Sequence, residues 1–423
     1  MFHLVIACLL ASSTVAPPSF APAVPWSEPI ADYLARGAEL HPDGFNRAIT
    51  ALMPEGDRLW IGYGDATKNL GTPAPIEFRY LAKAADCTSC ADPKPRLARV
   101  LAEGQGAPQR TPFDTGEEQI EPFRICDGRI WQAGVDSNDP DELWTQAKPA
   151  PAKLIEGNMF VLEPGSEPAW RKYRAIPGGE HVHDVCAFRG ALYAVGSGSA
   201  NRVEWEGGQI FRHIWRSDDG GKGWTVAHRE MFPELGKGDT RYRRLLAVGE
   251  RLYAFGYVNP FVDKGPLEGR HVEWRDGAFM PISPDTAGEL ANLIVTRTWN
   301  LDADTGLVIA RGQDASAPTR AFLARDGRFM ELEDWRSLRA IDLAPVEGGF
   351  LLACGSGATA EATDRGTGEA ETFEVRFFTS TAPDATEPVL ALGTTRVTAI
   401  AVWDGALLVG TGDGAILRAA TGG

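Results

Sequence analysis

One pattern of apolar and polar positions recurs along the chain: an alternating apolar strand, a tight turn, and a second strand that ends in glycine. It is plainest in HVHDVCAFRGALYAVG, closing at Gly196, and in RYRRLLAVGERLYAFG, closing at Gly256. Five further copies close at Gly62, Gly134, Gly312, Gly355 and Gly410, and neighbouring closing glycines lie 43 to 72 residues apart. Alternation with period two marks strands that bury one face. Each copy is followed by material for two more strands, such as QIFRHIWRS and WTVAHRE after Gly196, or TFEVRFFTS and EPVLAL after Gly355. Four-stranded repeats of this length arrange radially, which leaves only short, protected sheet edges. The expected fold is all-β: one seven-bladed β-propeller of four-stranded antiparallel blades, spanning residues 24–423. The last copy ends soon after GAILRA, its third strand, so the segment Trp26–Leu34 is expected to supply the fourth and close the ring. The overlapping stretch SEPIADYLARGAEL also has a helical reading, with Ser27 as cap and Pro29 in the first turn.

Composition narrows the class. The 423 residues carry a formal net charge of −15, which argues against general nucleic-acid binding, since that needs a basic face. Residues 4–16, LVIACLLASSTVA, form an apolar run of signal-peptide length, and Ala21-Pro22-Ala23 supplies a small-x-small cleavage pattern, although Met1-Phe2-His3 lacks a basic residue. Residues 1–23 are therefore expected to be a signal peptide, leaving a secreted or periplasmic monomer without a transmembrane segment. Cys87 and Cys90 form a lone C-x-x-C with no second ligand pair, so a disulfide staple is expected rather than zinc. Cys126, Cys186 and Cys354 sit in apolar runs and read as buried small hydrophobes.

Between the third and fourth strands of one copy lies Ser217-Asp218-Asp219-Gly220-Gly221-Lys222-Gly223-Trp224, which matches the Asp-box (BNR) pattern S-x-D-x-G-x-x-W. Ser217, Asp219, Gly221 and Trp224 are its structural positions: the carboxylate takes backbone N–H groups, the glycine an unusual conformation, the indole a place between sheets. Glu273-Trp274-Arg275-Asp276-Gly277 reads as a worn version. Through this motif the chain resembles the Asp-box propellers, among them sialidases and photosystem-assembly propellers. It is similar in architecture and residue types to seven-bladed ulvan lyases. Phe123-Arg124-Ile125-Cys126 resembles the sialidase F-R-I-P signature with cysteine in place of proline, but sialidases have six blades.

The inner strand of a blade begins at the face where ligands usually bind. Alignment on the closing glycines brings His183, Glu121, Arg243, Trp299 and Asp342 to one level. Two residues earlier stand His181, Gln119, Arg241 and Arg297. Asp65, Asp136 and Asn138 follow closing glycines and offer oxygen donors for sugar hydroxyls or a structural cation, although no EF-hand spacing is present. His181 and His183 supply two metal ligands at most, a third having to come from His213 or Glu121, so no metal and no cofactor are expected. The first functional reading is β-elimination on an anionic polysaccharide. There His183 or His181 is the base, Tyr242 the acid, and Arg241 or Arg243 the carboxylate clamp, with Glu121 and Arg297 beside them. The alternative is a non-catalytic protein- or glycan-binding scaffold that grips its partner with Arg241, Arg243, Arg244 and Arg251, and a sialidase-like glycosidase ranks third. No P-loop, dinucleotide fingerprint, H-E-x-x-H or G-x-S-x-G elbow is present.

Overall fold

Two-residue turns set the local structure. At Asp127-Gly128, Arg189-Gly190, Asp276-Gly277, Asp326-Gly327 and Asp404-Gly405 both residues have positive φ. This is the turn geometry whose twist suits an antiparallel hairpin. Asp276-Gly277 joins Val272–Arg275 to Ala278–Pro281 in this way, so the expected worn Asp-box there is a plain hairpin turn.

The computed structural model describes residues 16–41, 44–66, 75–83, 93–103, 111–135, 156–165, 167–199, 211–230, 240–258, 270–312, 319–356 and 371–422. Their strands form seven sheets, each one blade of a propeller. The inner strands are Ala51–Glu55, Phe123–Cys126, Gly179–Phe188, Thr240–Val248, Ile294–Asn300, Arg339–Val346 and Val397–Trp403, in blades 1 to 7. The apolar core lies between neighbouring blades; Phe188 and Tyr193 of blade 3, for example, pack with Leu245 and Leu252 of blade 4.

Both readings of the N-terminal segment are realised in succession. Val24–Ser27 pairs antiparallel with Ile416–Ala420 and completes blade 7. Helix Ala31–Leu40 then follows, with Ile30 rather than Ser27 at its N-cap. The backbone bond from Ala21 to Ala420 (2.9 Å) continues this pairing to residues before Val24. Blade 2 departs from the expected four strands. Arg99–Glu103 adds a fifth, parallel to Ala169–Pro177, and carries the chain from the edge of blade 1 to that of blade 2.

The loop at Ser217–Trp224 holds its bonds tightly. Asp219 Oδ1 accepts the Ser217 hydroxyl (2.8 Å) and the N–H groups of Lys222 (3.1 Å) and Gly223 (2.9 Å). Gly221 has φ +87, and a Cβ there would strike Trp131 of blade 2. Trp224 is buried with Trp131 between blades 2 and 3. Cys126 and Cys354 are buried free thiols, both pushed up to about 12 by burial, and Cys186 is a partly buried one.

Candidate functional site

A β-bulge repeats on the inner strands of blades 3 to 7. The register slips between Val182 and Asp184, Tyr242 and Arg244, Val295 and Arg297, Ala340 and Asp342, and Val397 and Ala399. A bulge adds one unpaired residue and re-aims its neighbours. The residues just past it, Asp184, Arg244, Arg297 and Asp342, form the ring of charge around the axis. His183 and Arg243 are the bulged residues one position earlier. Trp299 is displaced from this level, Thr296 being the true counterpart of His183, because Ala310 rather than Gly312 holds the place of Gly196 and the turn of blade 5 is longer.

Two ion systems occupy the ring. Arg124, from blade 2, grips Asp184 of blade 3 in two bonds of 2.6 Å. It also reaches the carbonyl (2.9 Å) and hydroxyl (2.8 Å) of Thr298 in blade 5. Asp184 in turn accepts Leu245 N–H of blade 4 (2.9 Å). In the second system Glu121 accepts from Arg297, from Gln119 (2.5 Å) and from Arg244 (3.5 Å). Burial by itself would raise the Glu121 pKa, yet Arg297, Arg244 and Arg243 outweigh it and hold the carboxylate at about 2. Burial followed by repulsion from Arg243 and Arg297 pushes the Arg244 guanidinium down. Arg297 lines a cavity and is 30% exposed along its side chain. One of its N–H groups serves Glu121, and its others have no protein partner among the described residues.

The cavity runs along the axis, with a volume of about 360 Å³. Glu121, Arg244, Arg297 and Asp342 make its polar floor, and Met53, Ile125, Trp299, Leu343 and Pro345 contribute apolar wall. Ile125 and Pro345, near the ends of their inner strands, are exposed, so the mouth lies at the face where those strands end. The expected site was at the opposite face. The loops that follow the closing glycines at that face lie largely outside the described residues. Asp342 accepts Ile400 N–H (2.8 Å) with one oxygen. Burial pushes its pKa up to about 6, against the pull of that bond and of Arg297.

The residues expected to perform proton transfer are differently placed. His183 Nε2 lies 3.3 Å from Arg241 Nη1. Guanidinium can only donate, so the imidazole lone pair is already occupied. Burial, then Arg241, Arg243, His181 and Arg244, lower the His183 pKa well below the ordinary value, which keeps the ring neutral. His181 stacks on His183 with centroids 6.1 Å apart and lies near Glu180. Tyr242 is fully buried between blades 3 and 4, lies beneath the Arg212 guanidinium, and gives its hydroxyl to Glu230 (2.5 Å). It lines no part of the cavity, and burial raises its pKa well above 10. The bulge at Arg243 thus turns Tyr242 away from the cavity and into the inter-blade core.

His213 is stacked on Trp215 and bonded to Phe211, apart from any metal grouping, and the described residues contain no cluster that could hold a metal ion. Asp65 accepts Asn46 N–H (2.7 Å) from the segment that enters the first inner strand. Asp136, Asn138, Cys87 and Cys90 lie outside the described residues. Sequence alignment passed over Arg124, Asp184 and Thr298 as site residues, and Asp342 drew notice only as one charge among several. Counting back four residues from the last residue of the inner strand, instead of from the closing glycine, finds Asp184, Arg244 and Asp342 directly.

No family model matches the chain, and no curated protein matches it. Among solved structures it is similar to the β-propeller domain of the Trilobed protease from Pyrococcus furiosus. The identity is 9%, with 89% of this chain and 95% of that one covered and a TM-score of 0.45. YCF48 from Cyanidioschyzon merolae shares 11% identity over 89% and 96% of the two chains, at TM-score 0.43. Virginiamycin B lyase from Staphylococcus aureus shares 9% over 88% and 95%, at TM-score 0.44. Likenesses this distant carry nothing about function; the fold stands on the strand pairing itself.

Proposed function

We propose that this protein is a ligand-binding propeller that recognises an anionic group at its hub, without performing chemistry on it. The observation that carries this reading is Arg297: a cavity-lining guanidinium with one bond to Glu121 and donors to spare. The β-elimination reading needs a basic imidazole and a phenol beside it. His183 is neutral with its lone pair occupied, and Tyr242 is committed to Glu230, so neither supports that chemistry. Export of the chain belongs to the same reading and rests on the apolar run at residues 4–16.

The test is a panel of uronate oligosaccharides, acidic peptides and their neutral counterparts, followed by thermal shift and by near-ultraviolet absorbance. Anionic members should raise the melting temperature and neutral ones should not. Arg297→Gln should weaken binding by roughly 10- to 100-fold, as expected for charge-assisted bonds of about 1.5–3 kcal/mol. An unsaturated product from a uronate oligosaccharide would replace this reading with the lyase.

A further inference from the structure

We propose that the axial cavity holds one amphiphilic anion, an aryl or alkyl body bearing a single carboxylate or sulfonate, which enters at the face where the inner strands end and binds only when Asp342 carries a proton. This rests on the function proposed above and names the ligand class and the regulation of the same site.

Three features of the cavity point to that class. Its volume of about 360 Å³ is in the range of small-molecule sites, about 300–1,000 Å³. Its mouth and walls, with Met53, Ile125, Trp299, Leu343 and Pro345, suit an apolar body. Its polar groups are gathered at the floor, where Arg297 keeps unused donors, so a ligand with its charge at one end fits better than an evenly polar one.

Asp342 supplies the regulation because it shares that floor. Its carboxylate accepts Ile400 N–H and is drawn on by the adjacent Leu343 N–H, and it lines the cavity, where a ligand or water meets it. The ionised carboxylate would repel an anionic head held at Arg297. The protonated carboxyl would donate a hydrogen bond to it. The charged groups lining the cavity with it are Arg297 from blade 5, Arg244 from blade 4, and Glu121 and Arg124 from blade 2. The cavity-lining stretches of blades 1 and 7, residues 50–54 and 400–402, present no titratable side chain. Glu121 stays ionised and the guanidinia stay charged across neutral pH, which leaves Asp342, at about 6, as the cavity group that titrates there.

The probe is anilinonaphthalene sulfonate, an aromatic anion whose charge is constant from pH 5 to 8 and whose fluorescence rises in an apolar site. Titrations use the full chain, Asp342→Asn and Arg297→Gln, with melting temperatures as a check on folding. Wild-type affinity should be level below pH ~6 and fall by about tenfold per pH unit above it. Asp342→Asn should bind at pH 8 as tightly as wild type does at pH 5, and Arg297→Gln should bind weakly at every pH. Wild-type affinity independent of pH, or Asp342→Asn that still weakens above pH 6, overturns the proton coupling while leaving the anion-binding function standing. Absence of binding by folded wild type at every pH overturns both.

Discussion

Asp184 and Asp342 occupy the same place in two blades, each just past the bulge of its inner strand, and each accepts a backbone N–H from the next blade, Leu245 and Ile400 respectively. Their surroundings divide them. Asp184 is fully buried and clamped by both arms of Arg124, so its charge is matched and the pair acts as a rivet through blades 2, 3 and 5. Asp342 has no such clamp, because the nearest arginine, Arg297, is turned to Glu121. Two identical side chains on repeated backbone thus become a structural ion pair and a titratable wall group. The difference is the presence or absence of one guanidinium from across the axis.

The largest expected effect separates the two aspartates by stability. Asp184→Asn leaves the Arg124 guanidinium buried without its counter-charge and should cost about 3–5 kcal/mol in urea unfolding. Asp342→Asn keeps an oxygen for Ile400 N–H and should not be destabilising. Equal losses from the two variants would break the comparison.

The second effect is a pH dependence with a defined sign. A carboxyl whose folded pKa, about 6, exceeds its unfolded value binds more protons in the native state, so it costs stability at neutral pH and less as the pH falls. Asp342→Asn should therefore be more stable than wild type by up to about 2–3 kcal/mol at pH 7, an advantage that fades between pH 6 and pH 4. His213 and His271, both lowered to about 4 chiefly by burial, act the other way and lose stability as pH falls from 6.5 to 4. They are common to both proteins, so subtracting one unfolding curve from the other isolates Asp342.

The smallest effect sharpens the Asp184 side alone. Thr298→Val removes the hydroxyl that accepts from Arg124 and donates to the Leu245 carbonyl. A loss of about 1–2 kcal/mol is expected, with the pH profile of Asp342 unchanged. A changed profile would mean that the two ion systems are one.

Much of the wheel was legible in the chain. The alternating hairpins carry the period of a strand whose two faces differ, and the Asp-Gly pairs carry the positive φ that a tight hairpin demands. The site was legible only to within one residue. Alignment on the closing glycines selected His183 and Arg243, the bulged residues, because a bulge adds a residue to the inner strand before the turn without altering the apolar pattern beyond it. Tyr242 is the clearest casualty. It was expected beside His183, but it is paired with Gly256 on the near side of the bulge and packs into the core between blades. The strand Val24–Ser27 and the helix Ala31–Leu40 show the opposite case: a closing strand does form, but it starts before the expected Trp26–Leu34 and shares only Trp26 and Ser27 with it, while the helical reading holds for the rest.

The sequence by itself determined the number of blades, the strands within most of them and the turns that join them, because these depend on periodicity and on the conformations open to glycine and aspartate. Tertiary structure alone decided which charges meet at the axis, which carboxylate is neutralised by an arginine, and which histidine has its lone pair occupied. Those outcomes depend on distances between side chains that are far apart in the chain, and Coulombic and hydrogen-bond energies vary too steeply with distance for residue types to settle them.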